Sequence, residues 1–103
     1  MKYKIERTAK ADEQLRDIIF YKADLRGSVD AALEYLDEIE REINQLVSFP
    51  KIGAPPRYAA LRARGFRVLI VGKLLVFYKV NKEIKTVMIY AIIDMRQDYL
   101  NLI

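Results

Sequence analysis

The sequence predicts an α+β domain in which a helical hairpin packs on a twisted, mostly antiparallel sheet. Two observations support this prediction. Apolar residues recur every three or four positions in the first half of the chain, and nearly continuous apolar runs follow in the second half. The length of 103 residues fits a single domain, 1–103. The predicted order is β-α-α-β-β-β, closed by a short C-terminal helix or tail.

The first strand and the first helix are predicted from alternation and capping residues. Residues 2–8 alternate in the manner of a strand at a sheet edge. Thr8 suits the N-cap of the helix that follows, whose apolar stripe holds Leu15, Ile18, Ile19 and Leu25. Gly27 suits a left-handed C-terminal cap, and Ser28 suits the next N-cap.

The second helix carries a heptad-like seam that predicts antiparallel pairing with the first helix. The seam consists of Val29, Ala32, Leu36, Ile39, Ile43 and Leu46. The opposite face is acidic and is most simply a solvated surface. It carries Glu34, Asp37, Glu38, Glu40 and Glu42, together with Arg41.

A proline-rich loop separates the helices from the last three strands. The stretch SFPKIGAPPRYAAL, residues 48–61, predicts this loop, and loops of such length are often functional. Gly72-Lys73 predicts a two-residue type II′ hairpin turn between the first two of these strands. The last two strands are apolar at almost every position and are therefore expected at the centre of the sheet.

The composition excludes several kinds of site. The chain contains neither cysteine nor histidine. Disulfides, thiolate metal sites, the usual zinc ligand and the usual general base near neutral pH are therefore absent. Any catalysis must use Arg, Lys, Tyr, Asp or Glu, and we expect no metal and no cofactor. No apolar run is long enough to span a membrane, and no signal region is visible, so a cytoplasmic protein is expected.

The net charge of +4 conceals a strong asymmetry between the two halves. Residues 1–48 hold eight basic and eleven acidic side chains, whereas residues 49–103 hold ten basic and three acidic ones. No acid lies between Glu42 and Glu83. This span carries Lys51, Arg57, Arg62, Arg64, Arg67, Lys73, Lys79 and Lys82. A polyanionic partner and a solvated basic face are both compatible with this pattern.

Four stretches of the chain match motifs of a known family in the right order. They are ADEQLRDIIFY at 11–21, FPKIG at 49–53, LRARGFRVLIVGKLLVFYKV at 61–80 and DMRQDYLNLI at 94–103. Together they resemble the RelE/ParE superfamily of toxins from bacterial type II toxin–antitoxin modules, often called plasmid stabilisation proteins. The resemblance covers essentially the whole chain and agrees with the predicted order of elements.

The resemblance implies three possible functions. RelE-like members are ribosome-dependent endoribonucleases, or mRNA interferases, that cut mRNA and stop translation, and this function is the one expected here. ParE-like members poison DNA gyrase without chemistry of their own. A degenerate member binds only its cognate antitoxin, the partner implied in every case. Fold alone does not choose among these functions.

The resemblance also implies a set of catalytic residues for the nuclease. Arg67 matches the arginine of the family's G.R motif, and Arg96 and Tyr99 match its terminal R..Y positions. Arginine suits a metal-independent transesterification because its fork stabilises a phosphorane. The structural alternatives are that Arg67 pairs with Asp94 or Asp98, and that Tyr99 anchors the tail.

Four further basic residues are expected to bind the RNA backbone through its phosphates rather than to react. Arg62 and Arg64 are expected on a loop that approaches the site. Lys51 and Arg57 lie in the proline-rich loop and are expected to assist them.

Overall fold

The computed structural model describes residues 2–97, without the side chains of Leu25 and Arg26. Two long helices pack against one face of a four-stranded sheet. The elements are β1 (Lys4–Arg7), α1 (Ala9–Arg26), α2 (Val29–Ile43), α3 (Ala59–Ala63), β2 (Arg67–Val71), β3 (Leu74–Asn81) and β4 (Thr86–Asp94). A 3₁₀ turn, Asn44–Val47, extends α2. The predicted α+β class is confirmed, and the terminal residues 98–103 lie outside the described range.

The short helix α3 corrects one expectation. Residues 59–63 form a helical turn, so Arg62 lies on a helix and Arg64 is its C-terminal cap residue. Sequence reasoning assigned both arginines to a loop because the preceding prolines break regular structure. Residues 59–63 form a helical turn because this conformation buries the Leu61 side chain against the sheet.

The strand order is β1-β4-β3-β2. Strand β1 runs parallel to β4 at one edge, and the β2–β3 and β3–β4 pairs are antiparallel. The predictions that β1 is an edge strand and that the last two strands are central are confirmed. Gly72 has φ of +60°, as the first residue of a type II′ turn requires.

The helix caps are those that the sequence predicts. The Thr8 hydroxyl accepts a hydrogen bond from the backbone N–H of Ala11 at 3.1 Å. The Ser28 hydroxyl accepts one from Ala31 at 3.2 Å. Gly27 ends α1 in the left-handed region with φ of +61°, which lets the chain reverse between the helices.

The main core lies between the helical hairpin and the sheet. Ala32, Ile39, Ile43 and Leu46 from the predicted seam are buried, and Leu36 is half-buried. Val29 departs from the seam and is 69% exposed, because it begins α2 where the hairpin reverses. The buried part of the seam therefore begins at Ala32 rather than at the first residue of α2.

A smaller core covers the other face of the sheet. It consists of Leu61, Phe66, Phe77, Ala91 and Ile93. Strands β3 and β4 contribute to both cores, which explains why almost every residue in them is apolar.

A β-bulge in β4 turns Tyr90 toward this second face. Phe77 lies opposite Ala91 while Tyr78 lies opposite Ile89, so Tyr90 is the extra residue. Helix α1 compensates for the interrupted ladder, because the Gln14 side-chain oxygen accepts a hydrogen bond from Ile92 at 2.9 Å. Within residues 2–97, no helix is both long enough and apolar enough to cross a membrane.

Candidate functional site: a basic groove beside the proline-rich loop

Arg67 fixes the start of the proline-rich loop. It is the first residue of β2, and its Nη2 donates hydrogen bonds to the carbonyl oxygens of Lys51 and Gly53, at 2.9 and 2.7 Å. Its Nε is buried without a hydrogen-bond partner. Because both acceptors are neutral carbonyl oxygens, neither hydrogen bond places a compensating negative charge beside the guanidinium.

Arg62 fixes the end of the same loop in the same way. Its Nη1 donates to the carbonyl oxygens of Pro56 and Arg57, at 2.9 and 2.7 Å. Two guanidinium groups thus hold a loop whose prolines offer no N–H groups for a ladder. Four hydrogen bonds to main-chain carbonyl oxygens thus give the loop a defined shape.

A buried contact with the sheet completes this attachment. The hydroxyl of fully buried Tyr78 accepts a hydrogen bond from the backbone N–H of Gly53 at 2.9 Å. Ala54 and Val68 exchange two backbone hydrogen bonds, of 2.8 and 2.9 Å, along the outer edge of β2. The loop therefore extends the sheet by one isolated bridge and protects part of that edge.

A groove of about 310 Å³ opens between this loop, the end of α3 and the β3–β4 turn. It is lined by Lys51, Pro55, Arg62, Gly65, Phe66, Arg67, Val80 and Lys82. Four of these eight residues are basic and none is acidic. We call this site the basic groove.

Two lysines meet in the basic groove. A hydrogen bond from Lys82 and the charge of Lys82 lower the pKa of the Lys51 amine, with smaller contributions from desolvation and Arg67. Two ammonium groups this close repel one another, so the site favours either an unprotonated amine or a bound anion. The arrangement is suited to holding negative charge.

Lys82 is a site residue that sequence reasoning missed. The hairpin turn at Gly72-Lys73 contained the necessary signal, because it determines which residues of β2 and β3 lie opposite one another. Arg67 lies opposite Tyr78, so the residues just before Arg67 face those just after Tyr78. Lys82 therefore lies beside the loop that Arg67 holds.

The other two predicted phosphate-binding residues lie against aromatic rings. The guanidinium carbon of Arg64 is 5.2 Å from the centroid of Phe66, and that of Arg57 is 5.4 Å from the centroid of Tyr58. Lys79 lies over Phe66 at 4.6 Å and over Tyr90 at 5.3 Å. These cation–π contacts form a basic border around the second core.

Arg96 has a different environment. Its side chain makes a two-pronged ion pair with Asp94, with N···O distances of 2.9 and 2.8 Å. These hydrogen bonds, followed by one from the Arg96 backbone N–H, lower the pKa of Asp94 to about 2. The predicted partner of Arg67, Asp94, is therefore taken by Arg96, and Tyr99 and Asp98 lie outside the described residues.

The structure does not bring Arg67 and Arg96 together. Strands β2 and β4 run in the same direction, with Arg67 at the start of one and Asp94 at the end of the other. Arg67 lies opposite Tyr78 of β3, and Asp94 lies opposite Leu74. The two positions are therefore four residues apart along β3, which is about 13 Å. The basic groove thus joins Arg67 with Lys51 and Arg62, and it leaves Arg96 at the far end of the sheet.

A second surface depression lies on the opposite, helical side of the domain. It measures about 210 Å³ and is lined mainly by α1 and α2, through Arg7, Asp12, Leu15, Arg16, Ile19, Phe20, Leu36 and Glu40. Phe20 is 65% exposed there. We call this depression the helical groove.

Comparison with protein families identifies this architecture. The model of the family described as "ParE toxin of type II toxin-antitoxin system, parDE" matches residues 5–99. The chain belongs to the ParE toxin family. It is accordingly a toxin of the type II toxin–antitoxin class, and the predicted RelE/ParE relationship is confirmed.

Individual relatives agree with membership of the ParE family. Toxin ParE1 of Caulobacter vibrioides is 34% identical over 85 residues, which are 82% of each chain. A structure titled as the chromosomal ParDE system from P. aeruginosa matches with a TM-score of 0.73 and 22% identity, covering 90% of this chain and 96% of that one. The RelBE2 toxin–antitoxin complex from Mycobacterium tuberculosis matches with a TM-score of 0.63 and 18% identity, covering 91% and 99%. These two likenesses show the shared fold.

The described part of this ParE-family chain contains no cluster of three or more acidic, histidine or cysteine side chains that could hold a metal ion. Its basic groove instead gathers four basic side chains, and the two arginines among them donate to neutral main-chain carbonyls. Chemistry available to such a site is the binding of anionic groups and, through Lys51, the transfer of a proton.

Proposed function

We propose that this toxin arrests growth by binding DNA gyrase and trapping it on DNA, and that it performs no chemistry itself. The observation that carries the proposal is the separation of Arg67 from Arg96. A nuclease needs its cations around one phosphate, because stabilisation of the phosphorane falls off steeply with distance. Membership of the ParE family supports the same choice.

The contacts of the arginines give this proposal its structural basis. Arg67 and Arg62 donate to loop carbonyls, and Arg96 donates to Asp94. In a binding toxin these arginines hold the proline-rich loop and the end of β4 in shape. Phe49 and Ile52 on that loop are 64% and 50% exposed, which gives the loop an apolar surface for a protein target.

The two target assignments are separated by a reconstituted assay. Purified full-length toxin is added to gyrase with supercoiled plasmid and, separately, to a purified translation system with a labelled mRNA. We expect linear plasmid to accumulate after denaturation of the trapped complex, with the mRNA intact. Cut mRNA together with unbroken plasmid would contradict the proposal.

Variants test whether binding depends on the loop surface. Phe49→Ser with Ile52→Ser should weaken gyrase trapping at least about tenfold, because apolar anchors on a rigid loop contribute most of such binding. Val29→Ser with Leu33→Ser is the matched control, since these residues are 69% and 51% exposed on α2. Equal losses in both variants would exclude the loop as the contact surface.

A ribosome-dependent endonuclease is the second candidate, and the basic groove is the observation that favours it. The lowered pKa of Lys51 suits an amine that accepts the proton of a ribose 2′-hydroxyl. Arg67 and Lys82 lie in the same groove and suit a pentacoordinate phosphate. In this candidate Arg62, Arg64 and Arg57 bind backbone phosphates, and Arg96 and Tyr99 assist from the terminal segment.

Single variants at the basic groove decide this second candidate. Lys51→Met should abolish mRNA cutting on ribosomes, whereas Lys73→Met, in the hairpin turn far from the groove, should leave it unchanged. Activity of Lys51→Met at the wild-type rate would contradict a nuclease that uses this amine. Growth arrest that persists in the absence of any mRNA cutting would favour the gyrase proposal instead.

We further propose that a cognate antitoxin neutralises the toxin through the helical groove and through its basic half. The helical groove offers apolar side chains of α1 and α2 that a partner helix buries. The acid-free span from 43 to 82 favours an acidic partner. Affinity of the purified pair should fall as salt rises, and an affinity independent of salt would show that apolar contacts alone bind the antitoxin.

A further inference from the structure

We propose that the basic groove makes Lys51 a site of covalent acylation by acyl phosphates, small anionic acyl donors that carry a phosphate group. The groove attracts the phosphate of such a donor, and the Lys51 amine then receives its acyl group. The inference concerns the toxin alone and requires neither of its candidate targets.

The geometry of the groove supplies the binding half of this proposal. Lys82, Arg62 and Arg67 line it together with Lys51, and no carboxylate lies among its lining residues. The two guanidiniums are held in place by main-chain carbonyls, so their charges stay fixed at the wall. A phosphate dianion entering the groove meets preorganised positive charge.

The position and surroundings of Lys51 favour reaction of its amine. Its side chain is exposed and therefore open to a donor in the groove. Its backbone is fixed, because Arg67 binds its carbonyl oxygen at 2.9 Å. The hydrogen bond and charge of Lys82, followed by desolvation and Arg67, lower the pKa of the amine and so raise the fraction that carries a free lone pair.

The reaction is a simple acyl transfer. The unprotonated Nζ of Lys51 attacks the carbonyl carbon of the donor and forms a C–N bond. The bond between that carbon and the phosphate oxygen breaks, and its electron pair leaves with the phosphate. The proton lost from nitrogen passes to the departing phosphate, so the products are an amide and inorganic phosphate, and nothing is oxidised or reduced.

Acylation changes the groove in a defined way. The amide is uncharged, so the groove loses one positive charge and Lys82 loses its repelling neighbour. Anion binding in the groove therefore weakens. The modification provides a means of adjusting the toxin's basic surface without altering its fold.

The experiment compares two acyl donors on the purified full-length chain. Acetyl phosphate is anionic, whereas p-nitrophenyl acetate is uncharged and reports amine reactivity alone. Rates of acetylation at Lys51 and at Lys73, which lies in the exposed Gly72-Lys73 turn, are measured by peptide mass spectrometry. With acetyl phosphate we expect Lys51 to react at least about tenfold faster than Lys73, given the gain that fixed fields give to encounters with anions.

The variants test the role of the groove. Lys82→Met should lower the Lys51 rate toward that of Lys73, because only Arg62 and Arg67 then remain to attract the donor. Lys82→Arg should retain most of the rate because the charge remains. Excess inorganic phosphate should compete with acetyl phosphate at Lys51 alone. The proposal is overturned if Lys51 reacts no faster than Lys73, if its preference is equal with the two donors, or if Lys82→Met leaves its rate unchanged.

Discussion

The hydroxyl of Tyr78 accepts a hydrogen bond from the backbone N–H of Gly53 in the interior of the domain, at 2.9 Å. The two residues join the first part of the proline-rich loop, which Arg67 also binds, to a central strand. An ideal Cβ on Gly53 would lie 2.6 Å from the Tyr78 hydroxyl oxygen and 2.7 Å from the carbonyl oxygen of Val68. The loop can approach the sheet this closely only because residue 53 has no side chain.

Tyr78→Phe is expected to destabilise the protein by about 1–3 kcal/mol, since a buried N–H loses its acceptor. The free energy of unfolding in urea measures the effect. Tyr90→Phe is the matched control, because its half-buried ring packs on Phe66 at a centroid distance of 5.3 Å without requiring the hydroxyl. Equal costs for the two substitutions would show that the Gly53 bond contributes nothing specific.

Gly53→Ala is expected to cost about 3 kcal/mol, because the added Cβ would overlap the Val68 carbonyl oxygen and the buried Tyr78 side chain, so that backbone or core atoms must shift. Gly27→Ala provides the comparison. An added Cβ there meets no atom within 4 Å, so only its left-handed conformation is penalised, by about 1 kcal/mol. Thermal unfolding measures the stability of both variants, and Gly53→Ala should be the less stable. Equal stability would contradict the close approach of the loop to the sheet at Gly53.

The fold was largely predictable because its signals are local. Thr8, Gly27 and Ser28 end or begin helices through their own capping chemistry, which does not depend on the rest of the chain. The apolar runs of β3 and β4 predicted central strands because both faces of those strands are buried. Helix α3 was missed because one buried leucine, rather than a periodic pattern, stabilises its single turn.

The candidate site was predictable only in part, because the sequence shows which residues are charged but not which groups their side chains bind. Arg67 was recognised as a site residue, but nothing in the sequence shows that its guanidinium donates to the carbonyls of Lys51 and Gly53. Every residue has a main-chain carbonyl oxygen, so no sequence motif marks the ones that accept these hydrogen bonds. Lys82 was missed for a different reason, since its place follows from the strand register rather than from neighbouring residues.

Arg67→Ala is expected to loosen the proline-rich loop and to lower stability by about 1–2 kcal/mol, through loss of its two bonds to carbonyl oxygens. The exchange rate of the Gly53 amide hydrogen should rise in parallel. Arg67→Lys keeps the charge but not the planar fork, so it should restore little of the protection. Arg64→Ala is the control, with a loss of about 0.5 kcal/mol from its exposed cation–π contact. An unchanged Gly53 exchange rate in Arg67→Ala would show that the arginine does not hold the loop.

The ion pair between Asp94 and Arg96 predicts a specific acid response. The folded-state pKa of Asp94 is lowered from 3.8 to about 2, so its stabilising contribution is complete above the unfolded pKa and is lost as the pH falls toward about 2. Arg96→Gln removes the side-chain hydrogen bonds, which are the largest cause, but keeps the backbone N–H bond. The pKa of Asp94 should therefore rise only part of the way to 3.8, as followed by NMR titration of its carboxyl carbon. Lys73→Gln should move it far less, since Lys73 is the weakest of the causes. A larger shift in Lys73→Gln than in Arg96→Gln would mean that the overall charge at this end of the sheet, and not the ion pair, controls the carboxylate.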